Sequence, residues 1–199
     1  MARTIRTKIY KFEELSADAQ RKVIEDNYDI NTDYEWYDCV YEDAKEIGKI
    51  IGLDIDKIYF SGFSSQGDGA CFKGSYSYQK ECVKKIKEYA PIDEKLHSIA
   101  ERLYNIQKEN FYKISATIKQ SGHYYHEYCT AINVYKDGDF MYFDGADKVE
   151  EEITDCLRDF MRWIYKTLDA EYEYLTSEDA IRETLEANEY EFTKDGNRF

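Results

Sequence analysis

The sequence predicts an α+β fold, with a mainly antiparallel sheet of about four strands and helices packed chiefly on one face. Two stretches alternate between apolar and polar residues with a period of two, residues 57–78 and 112–135. Stretches with apolar residues three and four apart precede, separate and follow them. This order of elements is typical of α+β proteins, and 199 residues favour a single domain over residues 1–199.

The N-terminal part is predicted to contain a short strand and two helices. Residues 4–12 form an edge strand or an extended lead-in. Ser16 is the predicted N-cap of the first helix, which ends at a polar break over residues 27–31. The second helix runs over about residues 33–51, and Gly52 stands where a C-terminal cap belongs.

A short polar link then leads to the central hairpin. Residues 58–63 and 70–78 are its strands, and Ser64–Gly69 is a loop rich in residues that tolerate turns. Gly62 and Gly74 leave gaps in these strands, which indicates a bulge or the close approach of another segment.

The second half is predicted to contain helices, a second hairpin and more helices. Helices over residues 82–89 and 96–106 are separated by Pro91. Strands over residues 112–119 and 129–135 flank the connection SGHYYHEY.

The remaining elements follow the same patterns. Residues 136–139 form a turn, and residues 140–143 add a short strand. Residues 147–174 are the longest helix, and Thr176 with Asp179 makes a capping box for the last helix. Residues 190–192 form an edge strand.

Composition limits the possible partners. A net charge of −14 argues against direct binding of duplex nucleic acid or an anionic membrane and permits basic partners. The 20 Tyr residues suit half-exposed surfaces and interfaces. Five scattered cysteines indicate reduced thiols in a cytosol. No apolar run is long enough to span a membrane, and no hydrophobic signal core begins the chain.

Several motifs suggest chemistry without completing a site. Gly67-Asp68-Gly69 lies between two strands, whereas phosphate-binding loops precede a helix, so a hairpin loop is expected. His123, His126 and Cys129 lack a further zinc ligand, so a solvated loop is expected.

Two other kinds of site are also disfavoured. Met141 occupies a position that a calcium loop would need for an oxygen ligand. A nucleophile built from Cys71, Cys82 or Cys129 needs a neighbouring histidine, which spacing alone does not provide. We therefore expect no metal, no cofactor and no catalytic residues.

Carboxylates, some of them with tyrosines beside them, are the candidate partner-binding residues. One set surrounds the start of the longest helix and comprises Asp137, Asp139, Asp144, Asp147, Glu150 and Glu151. A second set ends that helix and comprises Glu171, Tyr172, Glu173 and Tyr174, while Gln66 and Asp68 stand at the hairpin tip. The first set also suits a helix N-terminus, where the dipole favours negative charge. Acidic residues beside tyrosine suit an arginine-rich partner.

Three stretches of the chain carry a resemblance. They are YKFEELSADAQRKVIE, FSGFSSQGDGACFKG and LDAEYEYLTSEDAIRETLEANEYEFTKDGNRF. Together they resemble a family of small proteins encoded by tailed bacteriophages and prophages, some of which are labelled antitoxin-like. The resemblance implies an accessory phage protein that acts inside a bacterium, and it implies no catalytic residues.

The leading hypothesis is a non-enzymatic, anti-CRISPR-like inhibitor in the host cytoplasm. Its acidic, tyrosine-rich surface would occupy the nucleic-acid-binding site of a bacterial defence protein or ribonucleoprotein, by analogy with other small acidic phage proteins. A second hypothesis is an antitoxin-like protein that neutralises a partner protein. A third is a small-molecule sponge or hydrolase that uses the loop Ser64–Gly69 and the connection holding His123 and His126.

Overall fold

A computed structural model describes residues 6–140 and 145–199, except for the side chain of Phe140. The elements in chain order are β1 (Tyr10–Lys11), α1 (Ala17–Asp26), α2 (Asp38–Ile51), β2 (Leu53–Ser61), β3 (Gly69–Ser77), α3 (Cys82–Tyr89), α4 (Glu94–Glu109), β4 (Ile114–Gln120), β5 (Thr130–Lys136), β6 (Asp139–Phe140), α5 (Ala146–Leu175), α6 (Glu178–Ala187) and β7 (Glu191–Phe192). The part of the predicted strand over residues 140–143 that follows Phe140 lies outside the described residues.

The described residues form two compact units. Unit 1 holds the described residues up to Tyr37 together with Ala170–Phe199, and unit 2 holds Asp38–Asp169. The single domain over residues 1–199 stays a prediction.

The predicted fold class is confirmed in unit 2. Strands β2, β3, β4 and β5 pair in that order as an antiparallel sheet, to which the two residues of β6 are added. One face of the sheet is apolar and buried, with Leu53, Ile58, Phe72, Ala116 and Val134 each at most 5% exposed. Helices cover this inner face, so the expected one-sided packing is also confirmed.

Helix α5 packs on the inner face through the apolar stripe that the sequence predicts. Ile153, Leu157, Phe160 and Ile164 are fully buried, and the Phe160 ring meets the Phe72 ring edge-on at 6.0 Å. Residues spaced by three and four therefore bind the helix to the sheet.

Helix α2 and strand β2 both begin at residues other than the predicted ones. Helix α2 begins at Asp38 rather than at Asp33, which leaves Trp36 and Tyr37 outside the helix. Gly52 adopts φ +95°, as a C-terminal cap requires, and β2 starts at the next residue. The predicted polar link is wrong because buried Leu53 already belongs to the sheet.

Two boundaries in the second half were also predicted wrongly. Strand β4 begins at Ile114 because Phe111 and Tyr112 have φ near +60°, which no extended strand accommodates. The cap of α6 is Ser177, whose Oγ accepts a hydrogen bond from the Ala180 amide at 3.3 Å. Thr176 instead donates its hydroxyl to the Tyr172 carbonyl.

Gly74 confirms the predicted close approach within the central hairpin. It pairs with Ile55, next to a bulge in β2 between Ile55 and Lys57. A Cβ added at Gly74 would lie 2.1 Å from the backbone oxygen of Asp54. Only glycine lets the two backbones come this close.

Gly74→Ala is therefore expected to lower the free energy of unfolding by about 2 kcal/mol, because the backbone of β2 must shift to admit the methyl group. Urea denaturation followed by circular dichroism measures the loss. Ser75→Ala, at the next and exposed position of β3, is the control and should change it by less than about 0.5 kcal/mol. Equal stability of the two variants would contradict the close approach.

Unit 1 has an apolar cluster of its own. Strand β1 pairs with β7, with Tyr10 opposite Phe192, which confirms the predicted C-terminal edge strand and, among the described residues of the stretch 4–12, a strand at Tyr10–Lys11 only. Phe12, Val23, Ile181, Leu185 and Phe192 form the buried cluster with neighbouring side chains. Ser16 caps α1 as predicted, since its Oγ accepts a hydrogen bond from the Ala19 amide at 3.4 Å.

Candidate functional site

The predicted partner-binding residues occupy four places. Gln66 and Asp68 lie in the loop between β2 and β3, Asp137 and Asp139 at the turn between β5 and β6, Asp147, Glu150 and Glu151 in the first turns of α5, and Glu171, Tyr172, Glu173 and Tyr174 near its end. The first three groups belong to unit 2 and the last to unit 1. Asp144 lies outside the described residues.

Within unit 2, the predicted residues do not meet in one patch. Strands β3 and β5 both run antiparallel to β4 and therefore parallel to each other. Asp68 precedes the start of β3, and Asp137 follows the end of β5, so they lie at opposite ends of the sheet. A single acidic patch containing both is excluded by this register.

Local bonds already engage two of these carboxylates. Asp68 accepts hydrogen bonds from the amides of Ser64 at 3.0 Å and Ser65 at 2.6 Å, which closes the hairpin loop. Asp137 pairs with Lys113 at 2.9 Å. Both carboxylates therefore stabilise local structure, and only their remaining lone pairs are available to a partner.

Two segments of unit 1 that contact each other carry acidic and aromatic side chains, and we call the exposed part of these segments the acidic aromatic surface. Its members are Tyr28, Asp29, Tyr34, Trp36, Glu171, Tyr172, Glu173 and Tyr174. The rings of Trp36 and Tyr172 are 5.6 Å apart. Partial burial raises the pKa of Tyr172, and a hydrogen bond with Tyr28 and the charge of Asp29 raise it further.

Further hydrogen bonds hold the two segments of this surface together. Asn31 donates its side-chain amide to the Leu175 carbonyl at 2.9 Å and accepts the Thr184 hydroxyl at 2.7 Å. Tyr34 is 87% exposed and Tyr174 is 59% exposed, so much aromatic surface stays available to a partner.

The acidic aromatic surface has no basic residue in its own segments. Residues 23–37 and 167–181 contain no Lys or Arg. Within the described part of the chain, no ion pair involves the carboxylates of this surface and its segments, which are Asp29, Asp33, Glu35, Glu171 and Glu173. The ion pairs found in unit 1 involve other residues. The sequence analysis selected only the α5 side of this surface, and the absence of basic residues over 23–37 is the signal that marks the other side.

A second feature is a pocket in unit 2 where the two loops of the third hypothesis meet. Its volume is about 490 Å³, and its lining includes Gln66, Gly67, Tyr124, His126 and Tyr128. We call residues 121–129, between β4 and β5, the histidine loop. A Cβ at Gly69 would lie 2.6 Å from the Cβ of His126, so this loop packs directly against the start of β3. The structure thus brings together loops that are more than fifty residues apart in sequence.

His126 and Cys129 are neighbours in this pocket region. The Nδ1 atom of His126 accepts the Tyr128 amide hydrogen at 3.2 Å, and its Nε2 atom lies 3.4 Å from the Cys129 sulfur. Because Nδ1 is an acceptor, the neutral ring carries its proton on Nε2 and donates it toward sulfur. In this tautomer, Nε2 is not free to take a proton from Cys129, as a cysteine nucleophile would require.

A buried carboxylate supports the histidine loop from α5. Asp159 bonds to Lys95 at 2.9 Å, to Arg162 at 2.9 Å and to Arg102. Arg162 also reaches Glu127 at 3.2 Å, within the histidine loop. Burial opposes ionisation, but these three hydrogen bonds prevail and lower the pKa of Asp159 to about 2.

The remaining candidate chemistry has no assembled site in the described residues. No three His, Cys, Asp or Glu side chains among them come together as a metal site. Cys71 and Cys156 are buried, as expected for core thiols, and burial raises the pKa of each to about 12. Gly67-Asp68-Gly69 joins two strands, which confirms the hairpin loop.

Comparison with known proteins concerns mainly unit 2. Residues 36–178 match the model of a family described as a domain of unknown function, DUF8835. The chain belongs to the DUF8835 family. Comparisons with curated proteins and with solved structures gave no match.

The DUF8835 match contains the sheet, both hairpin loops and the α5 side of the acidic aromatic surface. Tyr28 and Asp29 precede it. Within the described residues, no helix has the length and apolar character needed to cross a membrane.

Proposed function

We propose that the protein is a phage-encoded, non-enzymatic inhibitor of a bacterial defence system that acts in the host cytoplasm. The acidic aromatic surface is the part that would bind a basic nucleic-acid-binding site on a defence protein or ribonucleoprotein. The observation that carries this proposal is a set of carboxylates that form no ion pair within the described residues and stand beside exposed tyrosines, in segments without Lys or Arg. The phage setting rests on the resemblance of the three sequence stretches.

The chemistry of the surface matches such a target. Carboxylates can pair with the lysines and arginines that normally hold phosphates, and tyrosine faces can receive guanidinium groups. Such charges speed association and select the partner, whereas the aromatic rings supply buried area. Nucleic acid would compete for the same groove, so the protein would act as a DNA mimic.

Charge reversal tests the surface. Glu171→Lys with Glu173→Lys is expected to weaken binding to the effector at least tenfold, about 1.4 kcal/mol, because two ion pairs become repulsions. The matched control is Glu150→Lys with Glu151→Lys, which changes the same charge on the same helix and should leave affinity within about twofold.

The assay uses a panel of bacterial hosts, each with one defence system and a sensitive phage. The protein should restore plating in one host and bind the purified effector of that system, and DNA should compete. The Glu171→Lys/Glu173→Lys variant should lose both effects, and the Glu150→Lys/Glu151→Lys variant should keep them. Failure in every host, or binding that resists high salt and DNA, would overturn the proposal.

Two alternatives remain as proposals of other classes. An antitoxin-like protein would use a similar surface, and rescue of growth from a co-expressed toxin would favour it. A small-molecule sponge or hydrolase is favoured by one observation, the meeting of the glycine loop with the loop of His126. Nucleotide that the purified protein retains and a His126→Ala variant loses would support that class.

A further inference from the structure

The sheet in unit 2 has a second face, which carries positive charge despite the acidic composition. Residues that alternate with the buried core point to this outer face, and Lys57, Lys73 and Lys119 are exposed there. The face is distinct from the acidic aromatic surface, which belongs to unit 1.

Strand register aligns the three lysines in one row. Lys57 and Lys73 are direct cross-strand partners in β2 and β3. Gly74 is opposite Ile118, which places Lys73 and Lys119 next to each other across β3 and β4. Adjacent strands are about 4.8 Å apart, so three like charges follow one another at close spacing. Like charges directly opposite each other destabilise a sheet, which makes this row costly without an anion.

Carboxylates of the described chain do not neutralise the row. No ion pair in the described residues involves Lys57, Lys73 or Lys119, whereas Lys113, immediately before β4, pairs with Asp137. The Lys57 ammonium lies 4.9 Å above the Tyr59 ring instead. Asp56, at the bulge, is the acidic residue nearest this row on the pocket lining.

A pocket lies beside the lysine row. Its volume is about 440 Å³, within the range of small-molecule sites, and Tyr59, Lys73, Thr117, Lys119 and Gln120 contribute to its lining together with Asp56. The Tyr59 ring is held by Tyr125, whose centroid is 5.4 Å away. The pocket thus combines cations, one supported aromatic face and a few groups able to form hydrogen bonds.

We propose that this outer-face pocket binds a nucleotide, with phosphate groups on the lysine row and the base against the face of Tyr59 that the Lys57 ammonium leaves when it turns to the phosphates. Lysine ammoniums are point charges that bind phosphate oxygens, and an aromatic face stacks on any base. Asp56 and Gln120 offer partners for ribose hydroxyls and base edges. The limited volume of the pocket and the net charge of −14 favour a free nucleotide over a nucleic-acid strand.

The test measures binding of fluorescent ATP, inorganic pyrophosphate and a single-stranded DNA oligomer to the full chain. Lys73→Gln with Lys119→Gln is expected to weaken ATP and pyrophosphate at least tenfold, because both ligands use the lysine row. Tyr59→Leu should weaken ATP about tenfold and leave pyrophosphate unchanged, because only ATP has a base to stack.

Lys84→Gln with Lys108→Gln removes the same charge from α3 and α4 and should leave the affinity for ATP unchanged. Circular dichroism confirms that each variant is folded. The proposal is overturned by absence of ATP binding at about 1 mM, by equal losses in the two lysine pairs, or by binding of the DNA oligomer alone.

Discussion

Replacing Asp159 by asparagine is expected to lower the free energy of unfolding by about 2 kcal/mol, below the cost for a fully buried pair because its cations are partly exposed. The side chain of Asp159 is 12% exposed, and it accepts hydrogen bonds from Lys95, Arg102 and Arg162. Asparagine keeps the shape but leaves three cations around a neutral group. Removing the central carboxylate costs more than the network contributes, because Lys95 and Arg102 lose the partner they share and Arg162 keeps only Glu127.

Urea denaturation of the Asp159→Asn variant measures this loss, with Trp163 fluorescence as the signal in a Trp36→Phe background. Asp155→Asn is the matched control, since Asp155 lies one turn earlier on α5 and is exposed. That control should stay within about 0.5 kcal/mol of the parent. A loss below about 1 kcal/mol for Asp159→Asn would show that the network does not stabilise unit 2.

The same network predicts how stability depends on pH. The pKa of Asp159 is lowered from 3.8 to about 2 in the folded chain, so the folded state holds its ionised form more strongly than the unfolded state. Its stabilisation is complete above about pH 4 and is lost as pH falls toward about 2. The difference between parent and Asp159→Asn should shrink over that interval, whereas a constant difference would contradict the assignment.

Replacing Phe160 by alanine is expected to cost about 4 kcal/mol, the second large effect. The ring is fully buried between Phe72, at 6.0 Å, and Trp163, which stacks against it at 5.5 Å and 3°. Alanine leaves a cavity at the contact between α5 and the sheet, and the surrounding side chains fill it only partly.

Far-UV circular dichroism in urea measures the loss for Phe160→Ala, and Trp163 emission should change because its stacking partner is gone. Phe160→Leu keeps most of the volume and should cost about 1 kcal/mol. Lys166→Ala, on the exposed side of the same helix, should be neutral. Similar losses for the alanine and leucine variants would contradict a tightly packed ring.

Local patterns predicted much of the fold because they depend on neighbouring residues. The spacing of Ile153, Leu157 and Phe160 predicted the buried stripe of α5, and Ser16 marked the start of α1. The wrongly predicted start of β4 has a local cause that the alternation of apolar and polar residues does not show. Tyr112 continues the alternation of β4, yet its left-handed backbone places it outside the strand.

The candidate sites were predicted only in part because they join distant segments. Glu171–Tyr174 was selected for its composition, but its contact with Trp36 depends on how the two ends of the chain fold together. In the sequence, Asp159 is one of many helix carboxylates. Its partners Lys95 and Arg102 are on α4, and only the packing of α4 against α5 places them beside it. The lysine row depends on a register shift at Ile55 that periodicity does not predict.

The sequence by itself determined the α+β class, the core-facing stripes and the acidic character of the chain, because periodicity and net charge are sums over local residues. Only the tertiary structure decided which charges form no ion pair within the described residues. Long-range pairing and burial place Lys57, Lys73 and Lys119 in one row and gather carboxylates beside Trp36 and Tyr172. These arrangements arise from contacts between residues far apart in sequence, whose free energies no local pattern records.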